Sequence, residues 1–247
     1  MAKRGRPPKI NPLTDIVKSK IWIKACAYDL QASSAADLSR KARKDVNLVA
    51  DKSDSHTRLV QAYMKGDRVP TLMTVQKISD ACNNPKEVKG FWEKGISNVP
   101  FWSSFGCKSD IFKYAREEAN GFTEYAINKN VKYESLSEYI IASIKYIEAM
   151  IDYDQESKEK LKVASLSMAI FHYLVPEGVA IQSGKGAVYA FNQGYSLDKI
   201  KRIKVKLLRN SLKNAESVFL KYNVTVKEMR ECVLEKHRAV NDLSAFW

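Results

Sequence analysis

His56-Thr57-Arg58-Leu59-Val60-Gln61-Ala62-Tyr63-Met64-Lys65-Gly66, Asp67-Arg68-Val69-Pro70, and Thr71-Leu72-Met73-Thr74-Val75-Gln76-Lys77-Ile78-Ser79-Asp80-Ala81-Cys82 follow one another without a break. The first piece reads as a helix stopped by Gly66, the second as a tight connection, and the third as a helix capped by Thr71. In the third, Leu72, Val75, Ile78 and Cys82 recur at helical spacing and predict a buried side. In the first, Thr57, Arg58, Gln61 and Lys65 share a face by i, i+4 and i+8 spacing, while Val60, Tyr63 and Met64 point largely the other way. Periodicity alone gives an amphipathic surface helix. The polar face is of the kind that a helix lying in a nucleic-acid groove needs.

The stretch from Ser55 to Cys82 resembles helices three and four of the lambda-repressor/Cro-like (XRE-type) helix-turn-helix family. There a recognition helix ends in Lys-Gly-x-Arg-x-Pro, as Lys65-Gly66-Asp67-Arg68-Val69-Pro70 does here, and the next helix opens on Thr or Ser. The resemblance implies that Thr57, Arg58 and Gln61 reach base edges in a major groove. Arg suits a guanine edge and Gln an adenine edge, whereas Lys65 and Arg68 would touch phosphate. Two placements of the family's second helix are open. One lies near Val46 to Lys52, with Val49 and Ala50 in its core and Asp54 and Ser55 where a turn glycine and an apolar residue usually stand. The other lies at Ala35 to Lys44 and leaves roughly ten extra residues before the recognition helix. Further upstream, Thr14 or Asp15 is expected to cap a helix carrying Ile16, Ile21, Ile23, Cys26, Ala27 and Leu30, and Ser33 or Ser34 to cap another through Leu38 and Ala42.

At the N-terminus, Lys3-Arg4-Gly5-Arg6-Pro7-Pro8-Lys9 surrounds an Arg-Gly-Arg core with cations, and the prolines hold it extended. It resembles an AT-hook. The resemblance implies that Lys3, Arg4, Gly5, Arg6 and Lys9 enter a narrow A·T-rich minor groove, where the potential is most negative. Composition alone makes it a solvated basic tail. The rest of the charge agrees with a polyanionic partner. The net charge is +13, and residues 1–100 hold 19 Lys/Arg against 10 Asp/Glu, residues 101–194 hold 10 against 12, and residues 195–247 hold 12 against 6. Basic ends on a mildly acidic middle place phosphate at the ends, although the sign by itself serves RNA or anionic lipid equally.

Residues 84–108 contain Pro85, Gly90, Gly95, Pro100 and Gly106, which predict an irregular connector, together with Phe91, Trp92, Phe101, Trp102 and Phe105. Such rings wedge a loop into an interface or stack on single-stranded bases. Beyond Ser109 the pattern is helical. Ser135-Leu136-Ser137-Glu138 and Thr225-Val226-Lys227-Glu228 have the form of capping boxes, a helix is expected from about Glu156 to Val175, and another from Ser196 to Tyr222. On the last, Leu197, Ile200, Ile203, Leu207, Ser211, Ala215, Val218 and Tyr222 predict the buried stripe, with Lys199, Arg202, Lys206, Arg209 and Lys213 as a basic band beside it. Ser183-Gly184-Lys185-Gly186 looks like part of a phosphate loop, but Gly178 is one residue too far from Gly184 and Gly186 replaces the Ser or Thr that would bind magnesium.

Catalytic signatures are missing: His56, His172 and His237 lie in unrelated segments, and Cys26, Cys82, Cys107 and Cys232 have no paired ligand spacing. No apolar run approaches the roughly 18 residues of a membrane span. The sequence therefore predicts an all-α, non-enzymatic, cytoplasmic protein that needs no metal or cofactor. The expected domains are a basic arm (1–13), a helix-turn-helix domain (14–83), an aromatic-rich connector (84–108) and a larger helical C-terminal domain for oligomerisation or regulation (109–247). The first functional expectation is a sequence-preferring duplex DNA-binding protein, a transcriptional regulator of a bacterium, phage or mobile element, acting as a homodimer beside an A·T-rich flank. The alternatives are a phage packaging or replication-initiation subunit, and a single-strand or RNA binder using the 91–105 rings.

Overall fold

Pro12, rather than Thr14 or Asp15, opens the first helix. In the computed structural model, which describes residues 12–43, 53–106, 158–174 and 197–244, α1 spans Leu13–Asp29. Pro12 stands at its N-cap, and the Pro12 carbonyl accepts from the N–H groups of Asp15 and Ile16 without any side-chain cap. The backbone does here what a Thr or Asp side chain was expected to do, and Thr14 and Asp15 fall within the first turn. The arm from Lys3 to Lys9, the Val46 to Lys52 placement, the Ser135–Glu138 capping box and the Ser183–Gly186 loop lie outside the described residues.

Every element among the described residues is helical. No helix among them is long and apolar enough to cross a membrane. The chain divides into two compact units, Met1–Lys89 and Gly90–Trp247. The first contains α1, α2 (Ala35–Lys41), α3 (Ser53–Lys65), α4 (Leu72–Asp80) and the start of α5 (Pro85–Glu93). Of the two placements for the helix before α3, Ala35 to Lys44 coincides with α2, which ends at Lys41, and Val46 to Lys52 lies outside the described residues. Ser34 caps α2 by accepting from the Asp37 N–H at 3.1 Å, while the Asp37 carboxylate accepts from the Ser33 N–H, also at 3.1 Å. Arg40, then the Ser33 N–H and Lys41, hold the Asp37 carboxyl well below the usual carboxylate range.

The core of this unit forms around Trp22. Ser19 to Ile23 are all buried, so α1 is enclosed on most sides and has no single apolar stripe. Trp22 is fully buried, donates its Nε1–H to Ser79 Oγ of α4 at 3.1 Å, and meets the Tyr63 ring of α3 edge-on at 6.4 Å. Val75, Ile78 and Cys82 are buried as expected, but Leu72 is 74% exposed, because it opens α4 before that helix turns onto the core. Cys26 and Cys82, far apart in sequence, come within hydrogen-bonding reach, and burial pushes the Cys26 thiol well above its ordinary value. At the other end of α1, the Asp29 carboxylate accepts from the backbone N–H groups of Asn83 and Asn84, fixing the chain where α5 begins. Pro85 then starts a helix instead of breaking one, since the first helical residue needs no N–H.

In the second unit, the end of α5 is followed by a 3-10 turn (Ile96–Asn98), α6 (Phe101–Phe105), α7 (Lys158–Leu174), α8 (Leu197–Lys221) and α9 (Val226–Ser244). α7 packs against α6, α8 and α9. The aromatic stretch is thus short helices within this core and not a bare connector. Phe101 is fully buried among the rings of Trp102, Phe105 and Phe219, at 5.0, 5.6 and 5.5 Å. Along α8 the buried side chains are Leu208, Ser211, Leu212, Ala215, Val218 and Phe219. Ser211, Ala215 and Val218 are buried as expected, Leu207 and Tyr222 are half-buried, and the side chains of Leu197, Ile200 and Ile203 are outside those described. A buried hydroxyl pair, Ser165 and Ser211 at 3.2 Å, ties α8 to α7. Thr225 and Glu228 make the expected capping box at the start of α9.

Candidate nucleic-acid interface

The amphipathic division of α3 is seen side chain by side chain. Val60 and Tyr63 are buried, while Arg58, Gln61 and Lys65 are exposed. At about 100° per residue the three exposed positions fall within about 60° of one another. Thr57 lies about 100° from Arg58 on the same reckoning and is half-buried, so it flanks the polar face without standing at its centre. Arg68 is also exposed. Lys3, Arg4, Gly5, Arg6 and Lys9 lie outside the described residues.

The turn after α3 is built to close tolerance. Asp67 N–H reaches the Ala62 carbonyl at 2.9 Å and Gly66 N–H the Tyr63 carbonyl at 3.2 Å, the paired bonds of a Schellman ending. Gly66 has φ +84°, and a Cβ there would stand 2.7 Å from Ile16 Cγ2 of α1. Ser19 donates its hydroxyl to the Arg68 carbonyl at 3.3 Å, tying the same turn to α1. Thr71 caps α4 by accepting from the Thr74 N–H at 3.2 Å. Burial holds the Tyr63 phenol above its ordinary value, opposed by a hydrogen bond with Thr74 and the charge of Arg68.

Gly66→Ala is therefore expected to destabilise the first unit by about 1–2 kcal/mol from the left-handed backbone alone, with the Ile16 contact adding to it. Urea unfolding of the two proteins measures the difference, and equal midpoints would contradict the assigned turn.

Beside the exposed face lies a cleft of about 560 Å³. Arg43, just past α2, Arg58 of α3 and Arg68 of the following turn all line it, with Ser55 and His56 from the first turns of α3. Leu59 and Ala62 add apolar surface. His56 Nδ1 sits 2.7 Å from Ser39 Oγ of α2, which fixes the ring. Burial, and then the nearby Arg43 charge, holds the His56 pKa below its ordinary value.

Neither Arg43 nor the Ser39–His56 pair was singled out from sequence. The only local signal was the Arg40-Lys41-Arg43-Lys44 run, which reads as a solvated charge cluster until folding brings Arg43 to α3. Comparison with family models, curated proteins and solved structures gave no match.

That arrangement offers several cations and the Gln61 amide, which suit recognition of a polyanion. Among the described residues no group of three or more His, Cys, Asp or Glu could hold a metal ion. His172, half-buried on α7 with its Nε2 enclosed, has its pKa lowered to about 3 by desolvation and by Lys204, so it is neutral near pH 7. His237 lies with its ring 4.9 Å from that of Tyr173. The rings expected to stack on single-stranded bases are engaged elsewhere: Trp92, Phe101 and Phe105 are buried, and Phe91 meets Tyr222 at 5.6 Å. On α8, Arg202, Lys206, Arg209 and Lys213 of the basic band are exposed, and the side chain of Lys199 is outside those described.

Proposed function

We propose that the Met1–Lys89 unit binds double-stranded DNA with a sequence preference, and that the chain is a transcriptional regulator of a bacterium, phage or mobile element. One observation carries the reading. α3 exposes Arg58, Gln61 and Lys65 on one side while Val60 and Tyr63 anchor the other, and the Gly66 turn ties its C-terminal end to α1. A helix held from behind with two base-reading side chain types in front can enter a major groove without reorganising. Arg58 and Gln61 are the base-reading residues, with Thr57 at the edge of the face, and Lys65 and Arg68 hold phosphate. The Lys3 to Lys9 arm takes the adjoining A·T-rich minor groove. A homodimer doubles the reading length of one short helix.

The test is selection of bound duplexes from a random pool, followed by anisotropy titrations. Arg58→Ala and Gln61→Ala are each expected to reduce the preference for the selected site over random duplex by about 1–3 kcal/mol, or roughly 5- to 150-fold. Affinity for random duplex should change much less. Equal losses on both duplexes would remove base reading from α3, and failure of the full chain to bind duplex at moderate salt would remove the function.

A further inference from the structure

We infer that the cleft beside α3 is a sugar-phosphate site, in which Arg43 and Arg68 hold the phosphate group and Arg58 stands at the edge toward the bases. The inference deepens the DNA-binding reading and rests on it for the position of the site relative to the duplex. Three arginines line this cleft from three separate segments: the end of α2, the first half of α3 and the turn beyond Gly66. Guanidinium is the side chain best matched to phosphate, because its planar fork gives two parallel N–H bonds to two oxygens. Two features hold these arginines in place. Arg68 belongs to the turn fixed by Ser19 and by the Schellman ending. Arg43 follows α2, whose Ser39 is joined to His56 of α3.

The volume argues for more than a bare oxyanion. About 560 Å³ falls in the range of small-molecule sites. Leu59 and Ala62 supply the apolar surface against which a pentose ring packs. His56 supports an anionic occupant in the same direction. Burial and then Arg43 hold its pKa below the ordinary value, and a phosphate in the cleft would oppose that shift. Arg43 is the charge that acts on it; Arg58, Arg68 and Ser55 line the same cleft, and Ser39 is its hydrogen-bond neighbour.

Arg58 links this cleft to the reading face. It lies within about 60° of Gln61 on one side and of Ser55 on the other, and it lines the cleft. With α3 in a major groove, a backbone phosphodiester bordering that groove would enter the cleft as Arg58 meets the bases. A free nucleotide offers the same phosphate and sugar, and would then compete with the duplex.

Two titrations of the full chain separate the sources, one with a mixed-sequence duplex across a salt series and one with deoxyadenosine 5′-monophosphate by calorimetry. The variants are Arg43→Gln and Arg43→Lys, with Lys77→Gln on the exposed side of α4 as control. If the phosphate is the duplex backbone's, Arg43→Gln weakens selected and mixed duplex alike by about tenfold. The slope of log affinity against log salt then falls by about 0.9, whereas Arg43→Lys keeps the slope. If the phosphate is a nucleotide's, the wild-type protein binds the mononucleotide, loses it in Arg43→Gln, and releases duplex as the mononucleotide is added. Arg43→Gln that matches Lys77→Gln in both titrations overturns the inference, while loss of site preference in Arg58→Ala and Gln61→Ala leaves the DNA reading standing. Conversely, mononucleotide binding that depends on Arg43, in a protein with no affinity for duplex, keeps the cleft and sinks the DNA reading.

Discussion

Replacing Trp22 by alanine is expected to cost the Met1–Lys89 unit about 3–5 kcal/mol, a large share of the roughly 5–15 kcal/mol that holds a domain folded. Two losses combine. The indole is fully buried among α1, α3 and α4, so its removal leaves a cavity that helices fixed by other contacts cannot close. Ser79 Oγ, itself buried, also loses its donor. Trp22→Phe separates the two, because it keeps most of the ring volume and gives up only the Nε1–H bond, at a cost of about 1–3 kcal/mol. Urea unfolding gives the totals, and amide exchange gives the location. In Trp22→Ala the amides of α3 and α4 should lose protection together, since both helices close on this one side chain. A cost below about 1 kcal/mol, well under the usual range for a buried Trp, would contradict the packing.

Trp22 also shows why the first unit was only partly legible. The reading frame of α1 was right, but its apolar residues, Ile16, Ile21, Ile23, Cys26, Ala27 and Leu30, form no clean stripe. The cause is that α1 is enclosed on most sides, so periodicity has no solvent face to contrast with. Its start was misplaced because side-chain capping rules see Thr14 and Asp15, whereas a proline carbonyl accepts the first N–H groups. The α3–turn–α4 segment was legible almost throughout, because local chemistry dictates it: a positive-φ glycine ends one helix and a threonine caps the next. Leu72 departs from the pattern for the same local reason, since residues in a helix's first turn need not reach the core.

The candidate site divides along the same line. Arg58, Gln61, Lys65 and Arg68 could be picked out because their positions follow from one helix and its stop signal. Arg43 could not, since its place beside α3 depends on how α2 packs on α3, and no periodicity records that. The same holds for Cys26 with Cys82 and for Ser39 with His56, which are pairs made by tertiary structure alone.

Phe101→Ala supplies the matching expectation for the Gly90–Trp247 unit and decides how the stretch from Pro85 to Gly106 is to be understood. A connector would tolerate the change. A core residue would not, and Phe101 is fully buried with three aromatic neighbours, two from its own short helix and Phe219 from α8. Glycine and proline suggested irregular chain here, yet Pro85 occupies a position where proline favours a helix, and Gly95 turns the chain at φ +136°. A Cβ at Gly95 would meet Phe101 Cβ at 2.6 Å, so the glycine is what lets the ring-bearing helix fold back onto its own approach. Phe101→Ala is expected to cost about 3–5 kcal/mol, with amide protection falling in α7 and α8 and unchanged in α3 and α4. Because the cost falls on the unit without the α3 face, the refolded fraction should still bind duplex with its site preference intact. A near-neutral substitution would return these rings to the role of a connector, and protection lost first in α3 would place Phe101 in the other core.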